Sequence, residues 1–135
     1  MKNNKKGFTL IELLIVIGII AILAAAIIIA INPGRQFEQA RNATRWSNMN
    51  SIANAVYSYV ISNQGVYPSC IPTDGSTATV LSCSSDLVGD HIGGIPVDPS
   101  TGDDGYLIQF DNPTTNTRIK ITSNATEAEE VEVIQ

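Results

Sequence analysis

The chain opens with an apolar run from Phe8 to Ile31, 24 residues in which Glu12 is the only charged side chain. As a helix, such a run is about 36 Å long at about 1.5 Å per residue, and the hydrocarbon core of a bilayer is about 30 Å thick. The pattern therefore predicts one helix that can span a membrane with some tilt. A charge deep in a bilayer costs roughly 2.5 to 3.5 kcal/mol, and less near a helix end, so Glu12 needs a partner.

A second helical pattern extends from Arg35 to Asn63, behind a break at Asn32-Pro33-Gly34. Proline kinks or ends a helix, and both a bend and a helix restart stay open here. Gly65 predicts a left-handed cap at the far end. Apolar side chains recur at steps of three and four, which predicts one buried stripe made of Phe37, Ala40, Ala43, Trp46, Met49, Ile52, Ala53, Val56, Tyr59 and Val60.

Four side chains of this helix invite a functional interpretation. Arg41 and Arg45 could form a basic patch, but we interpret them as a solvated or subunit-facing side of the helix. Trp46 and Met49 are interpreted as core or subunit-contact residues rather than as a cofactor site.

The second half of the chain has the pattern of loops and strands. Residues Val66 to Asp104 are rich in Pro, Gly, Ser and Asp, with a short helix predicted around Leu87. Alternating apolar residues then predict antiparallel strands with one buried face at Tyr106–Phe110 and Ile119–Thr122, and either a third strand or a frayed tail near Val131, Val133 and Ile134. The predicted fold class is α+β: a long N-terminal helix with a small antiparallel sheet packed on its C-terminal half.

Charge and cysteine content limit the classes of function. Eight basic and 13 acidic residues give a net charge of −5, and without Lys2, Lys5 and Lys6 the balance is five against 13, or −8. This balance argues against a general nucleic-acid surface. Those three lysines keep the start of the chain cytoplasmic and send the rest outward. In an oxidising compartment Cys70 and Cys83 predict a disulfide, a better interpretation than two free thiols or a metal site.

The basic leader that ends in Gly7, followed by Phe8-Thr-Leu-Ile-Glu12 and the aliphatic run, resembles the type IV pilins and pseudopilins. A secretory signal would have a shorter apolar region and a small-residue cleavage site behind it. The resemblance implies a cytoplasmic-side prepilin peptidase that cuts between Gly7 and Phe8, and N-methylation of Phe8. It also implies that the Glu12 carboxylate pairs with the terminal ammonium of a neighbouring subunit during assembly.

The resemblance further implies the organisation and partners of the chain. Residues 1–7 are a cleaved leader, 8–31 a membrane and fibre-core helix, 32–64 the amphipathic continuation and 65–135 the globular part; in this family the helix is often locally melted near a proline. The implied partners are membrane lipid, an inner-membrane assembly platform with its ATPase, and other pilin subunits in a polymer. The protein is then single-pass in the membrane before assembly and later part of a surface pilus or a periplasmic pseudopilus.

In a second resemblance, the chain is similar to the major pseudopilins of type II secretion and to related short pilins. Tyr67-Pro68 follows the long helix, and Ile95-Pro-Val-Asp-Pro99 precedes the sheet, as in that group. Its members are known for calcium in this region, and carboxylates in flexible loops suit calcium. We therefore regard Asp98, Asp103 and Asp104 as weak calcium candidates, with solvated turn aspartates as the favoured interpretation and no cofactor expected.

No catalytic motif is visible in the sequence, and His91 is its only histidine. We therefore expect a protein that is not an enzyme. Three hypotheses remain: a type IV pilus subunit for adhesion, motility or DNA uptake, a type II secretion pseudopilin, and a membrane-anchored binding domain that never assembles.

Overall fold

The structure is a computed structural model that describes residues 7–102, 105–112, 114–115, 118–125 and 132–134. The chain divides into two compact units, Met1–Phe37 and Glu38–Gln135.

The first helix, α1, comprises Leu10–Ile31 and buries none of its side chains within its own unit. It ends because Asn32 adopts a left-handed conformation with φ of 47°, which asparagine tolerates better than most residues. The second helix, α2, comprises Pro33–Ser62 and begins directly behind it. Proline suits the first position of a helix because its fixed φ is helical and its missing N–H would have no partner there. The break at Pro33 is therefore a helix restart.

The far end of α2 is closed by two residues in the left-handed region. Gln64 has φ of 58° and Gly65 has φ of 92°. The amide of Gly65 donates to the Val60 carbonyl at 2.8 Å, which satisfies one of the last carbonyls of the helix. The predicted cap at Gly65 is confirmed.

A four-stranded antiparallel sheet forms the other layer of the second unit. Its order follows the chain: β1 (Ala78–Thr79), β2 (Tyr106–Phe110), β3 (Ile119–Ser123) and β4 (Glu132–Ile134). The prediction of a strand near the C-terminus is confirmed by β4, in which Val133 pairs with Ile121 of β3. Val131 lies outside the described residues. The two-residue β1 was not predicted, because two residues carry no periodicity. A 3₁₀ turn (Val80–Cys83) and a short helix, α3 (Ser84–Leu87), follow it.

The core of the second unit lies between one face of α2 and one face of the sheet. In β2 the side chains alternate as predicted, with Tyr106, Ile108 and Phe110 buried and their neighbours partly exposed. The α+β prediction is confirmed. The buried hydrophobic cluster consists of Met49, Ile52, Ala53, Val56, Ile71, Val80, Cys83, Leu87, Tyr106, Ile108, Phe110, Ile119 and Ile121.

The buried stripe of α2 differs from the predicted one in its first half. Trp46 is 55% exposed, so it is not a core residue of the unit, whereas Arg45 is completely buried. Residues advance by about 100° around a helix, so a series of three-residue steps drifts off any one face. The observed face follows steps of four, three and four through Arg45, Met49, Ile52 and Val56.

The predicted disulfide joins Cys70 to Cys83, with 5.2 Å between their Cα atoms. Cys83 is fully buried and belongs to the hydrophobic cluster. The bridge therefore attaches the loop behind α2 to the core at the point where the 3₁₀ turn ends.

We expect the double variant Cys70→Ser, Cys83→Ser to lower the free energy of unfolding by about 3 kcal/mol, because closing a loop of this length restricts the unfolded chain. The measurement is chemical unfolding of the full chain in detergent, with and without reductant. Reductant should destabilise the native protein and leave the variant unchanged. Equal stability of the two proteins under oxidising conditions would contradict this expectation.

Candidate functional site

Residues 7–9, the described segment in front of α1, are exposed. Gly7, Phe8 and Thr9 are not helical, and Phe8 is 86% exposed. Among the described residues, no heavy atom beyond Gly7 and its chain neighbours lies within 4 Å of the position that a Cβ on Gly7 would occupy. The peptide bond between Gly7 and Phe8 is therefore accessible from outside the chain.

Glu12 takes part in a capping box at the start of α1. Its Oε2 accepts from the Thr9 amide at 2.8 Å and from the Thr9 hydroxyl at 2.7 Å, while the Glu12 amide donates to Thr9 Oγ1 at 3.3 Å. These bonds satisfy donors that every helix start leaves open. They also hold the carboxylate at the first turn, where a negative charge interacts favourably with the helix dipole.

The Glu12 carboxylate belongs to a helix that has the properties of a membrane span. Leu10–Ile31 has a mean hydropathy of 3.4 over its most apolar window. Its side chains are exposed in the described structure, and so many exposed large apolar residues mark a surface that contacts a membrane or other proteins. The hydrogen bonds from Thr9 to Glu12 lower the free-energy cost of placing a carboxylate in an apolar helix.

The fold and this segment define a class: an α+β protein with one apolar N-terminal helix that bears an acid in its first turn. Residues 2–28 match the family described as the prokaryotic N-terminal methylation motif. This motif, matched here over the first part of the chain only, is the leader of type IV pilins and pseudopilins. No curated protein and no solved structure matches the chain. The motif supports membership of that family, implies a structural rather than a catalytic protein, and indicates membrane anchoring together with the apolar helix.

A second polar site lies inside the second unit, where Arg45 of α2 meets Asp98. Both side chains are completely buried. Arg45 Nε donates to Asp98 Oδ2 at 2.7 Å, and Nη2 donates to Oδ1 at 2.9 Å. This is the bidentate geometry, with two parallel hydrogen bonds, in which guanidinium and carboxylate bind most strongly. It joins positions that are 53 residues apart in the chain.

The surrounding chain completes the hydrogen bonding of this pair. Arg45 also donates to Asn42 Oδ1 and to Ser100 Oγ, each at 2.7 Å. The Asp98 carboxylate accepts further bonds from the amide and hydroxyl of Ser100 and from the hydroxyl of Ser123. A Cβ on Gly105 would lie 3.1 Å from the Asp98 Cβ, so this close approach favours glycine.

The structure corrects the interpretation of both charged residues. Arg45 does not belong to a solvated or subunit-facing side, and Asp98 is not a solvated turn aspartate. Both Asp98 oxygens accept hydrogen bonds from Arg45, and the calcium role of Asp98 stays a prediction. Asp103 and Asp104 lie outside the described residues, and within the described part of the chain no group of three or more metal-ligating side chains occurs.

One signal in the sequence could have identified Arg45. It is four, seven and eleven residues before Met49, Ile52 and Val56, so it lies on the buried face of α2. A charge on such a face needs a buried partner. The sequence does not say which acid that is.

His91 occupies a loop position, as predicted, and contacts α2 from there. Its Nδ1 lies 2.9 Å from the hydroxyl of Ser58, and its ring meets the ring of Tyr59 edge-on at 5.5 Å. These contacts attach the loop behind α3 to the helix.

We expect the Arg45–Asp98 pair to make the stability of the second unit sensitive to acid. Hydrogen bonding from Arg45, opposed by burial and reinforced by Ser100, holds the pKa of the Asp98 carboxyl far below its usual range. A depressed folded-state pKa adds stability that is complete above the unfolded value of about 3.9 and is lost as the pH falls through the folded value. From pH 7 to about pH 5 the contribution of Asp98 should therefore stay constant.

Below about pH 4 the native chain should lose stability more steeply than Asp98→Asn, which has no proton to bind at that position. The measurement is the thermal midpoint of the full chain in detergent, followed by near-ultraviolet circular dichroism. Parallel acid dependence of the two proteins would show that Asp98 does not carry this response.

Proposed function

We propose that this protein is a type IV pilin, a structural subunit that polymerises into a cell-surface filament for adhesion, motility or DNA uptake. The observation that carries the proposal is the methylation motif at residues 2–28 with Glu12 in the first turn of an apolar helix. A plain membrane anchor has no use for a carboxylate at that depth.

In this proposal the chain is first processed by a prepilin peptidase. The enzyme cuts between Gly7 and Phe8 and methylates the new amine of Phe8. The exposed, non-helical segment in front of α1 supports this role, because a protease needs an unfolded stretch of backbone. The Thr9–Glu12 capping box uses no leader residue, so it can persist after the cut.

Assembly then exchanges the surroundings of α1. In the membrane the helix contacts lipid, and in the fibre it contacts the helices of other subunits, which are equally apolar. Glu12 pairs with the terminal ammonium that a neighbouring subunit brings to the same depth. A desolvated pair adds little net stability, so it acts mainly as a registry device that fixes where one helix lies against the next.

The second unit is then the part displayed on the filament. Its covalent bridge and its buried ion pair suit a small domain outside the cell, where the core alone supplies limited stability. The further partners are an inner-membrane assembly platform and its ATPase. The role is structural and includes no catalytic step.

A pseudopilin of a type II secretion system is the alternative, and Pro96-Val97-Asp98-Pro99 favours it. Imaging of cells with antibody against the second unit separates the two roles. Long surface fibres support the pilus, and short periplasmic assemblies support the pseudopilus. A chain that stays unassembled in the membrane is the remaining outcome and would overturn both.

Processing is tested by mass spectrometry of the native protein. We expect a mature chain that begins with N-methylated Phe8, and we expect Gly7→Leu to leave the full precursor in the membrane because the bulky side chain blocks the peptidase. Gly18→Leu, a change inside α1 and away from the cut, is the control and should be processed. An unmethylated native chain that retains residues 1–7 would exclude the proposed processing.

A further inference from the structure

The guanidinium of Arg45 is enclosed by oxygen atoms. Two come from the Asp98 carboxylate, one from the Asn42 amide and one from the Ser100 hydroxyl, all within 2.9 Å of a guanidinium nitrogen. Arg45 and Asp98 have no more than 1% of their surface exposed. Such a shell of carboxylate, amide and hydroxyl oxygens is the surrounding that a cation takes in a protein.

The shell belongs to a turn that is built on Asp98. The amide of Ser100 donates to Asp98 Oδ1 at 2.9 Å, and the amide of Gly102 donates to the Asp98 carbonyl at 2.9 Å. The turn therefore organises around a carboxylate that has been removed from water. A buried carboxylate without a cation is strongly unfavourable, so the turn needs a positive charge to keep this conformation.

We infer that Arg45 is a built-in cation: its guanidinium fills an oxygen-lined cation site and thereby fastens the turn at residues 98–102 to α2. The guanidinium supplies the positive charge that holds this turn in place, as a bound metal ion does in other loops. Unlike a metal ion, it is covalently part of the chain. The turn consequently keeps its position whatever ions the surrounding medium supplies. This role is independent of whether the chain polymerises.

Two variants separate the effect of the Arg45 charge from the effect of its volume. Arg45→Ala removes the guanidinium and leaves space in the oxygen shell. Arg45→Met removes the charge but keeps a long side chain in the same space. If the shell is a cation site, a small cation added to the solution should refill it in the alanine variant alone.

The experiment uses the full chain in detergent micelles and amide hydrogen exchange measured by nuclear magnetic resonance. The reporters are the Ser100 and Gly102 amides, and the Gly65 amide at the cap of α2 is the internal control. We expect both variants to exchange about tenfold to a hundredfold faster at the two reporters. Guanidinium chloride at a concentration that leaves the native protein unchanged, or calcium chloride, should slow exchange in Arg45→Ala but not in Arg45→Met. Sodium chloride of equal ionic strength is the control for screening.

The outcomes are decisive in both directions. Recovery of protection by guanidinium or calcium in Arg45→Ala alone supports the cation site. Unchanged exchange in Arg45→Ala would show that the turn does not depend on Arg45, and faster exchange that neither ion restores would show that the oxygen shell is not a cation site. Either result would overturn the inference. If Arg45→Ala does not fold, Arg45→Lys replaces it: slower exchange than in Arg45→Met supports the cation site, and equal exchange overturns it.

Discussion

Replacing Glu12 by alanine or glutamine will leave cleavage after Gly7 largely intact and prevent the mature chain from entering fibres. The proposed partner of the carboxylate is a cation supplied by another subunit, so the defect arises at assembly and not at processing. Breaking a buried pair on one side costs about 3–5 kcal/mol, which corresponds to a loss of at least about a hundredfold in association. Sheared fibres should fall below detection, while mass spectrometry still finds the processed chain.

The glutamine variant separates charge from helix capping. Its side-chain oxygen can still accept from Thr9, so the start of α1 keeps its hydrogen bonds, but a neutral amide gives no ion pair with an ammonium. Glu38→Gln, an exposed position on α2 outside the matched motif, is the control and should assemble normally. Normal fibre yield from Glu12→Gln would refute the pairing role, whereas a defect restricted to alanine would assign Glu12 to capping.

The second large effect concerns the stability of the unit that carries the sheet. Asp98→Ala should lower its free energy of unfolding by about 3–5 kcal/mol, because the Arg45 guanidinium then stays buried without its counterion. The thermal midpoint of the full chain in detergent should fall by about 10 °C or more.

The chain contains a matched control for this substitution. Arg118 and Asp111 form an ion pair at 4.0 Å whose side chains are 59% and 32% exposed. A surface pair of that kind contributes about 0–1 kcal/mol, so Asp111→Ala should change the midpoint little. Similar decreases of the thermal midpoint in Asp98→Ala and Asp111→Ala would mean that burial of the Arg45–Asp98 pair does not affect stability.

The two sites serve different parts of the proposed function. In the proposal Glu12 acts between subunits, and in the structure its carboxylate accepts hydrogen bonds from Thr9 at the start of α1. Arg45 and Asp98 act within one subunit and maintain the shape of what the filament displays. Variants of Glu12 should therefore accumulate as processed monomers that do not assemble. Variants of Arg45 or Asp98 should instead give chains of lower folding stability.

Local periodicity was sufficient to predict much of the architecture. The run from Phe8 to Ile31 has a single charge, and only a helix satisfies its backbone groups in an apolar surrounding. Alternation in Tyr106–Phe110 predicts a strand with one buried face, and Gly65 marks a helix end because it tolerates the left-handed region. These features depend on neighbouring residues only, so the sequence by itself determined them.

The tertiary structure decided which distant residues meet. Arg45 lies on the buried face of α2, but only the folded chain selects Asp98, 53 residues away, as its partner. The two-residue β1 exists because β2 offers it an edge, with Ala78 paired to Ile108. Trp46 is exposed because the sheet packs against the face of α2 that carries Met49 and Ile52. Such contacts depend on the path of the whole chain, and periodicity, which records only the local surroundings of each residue, contains no information about that path.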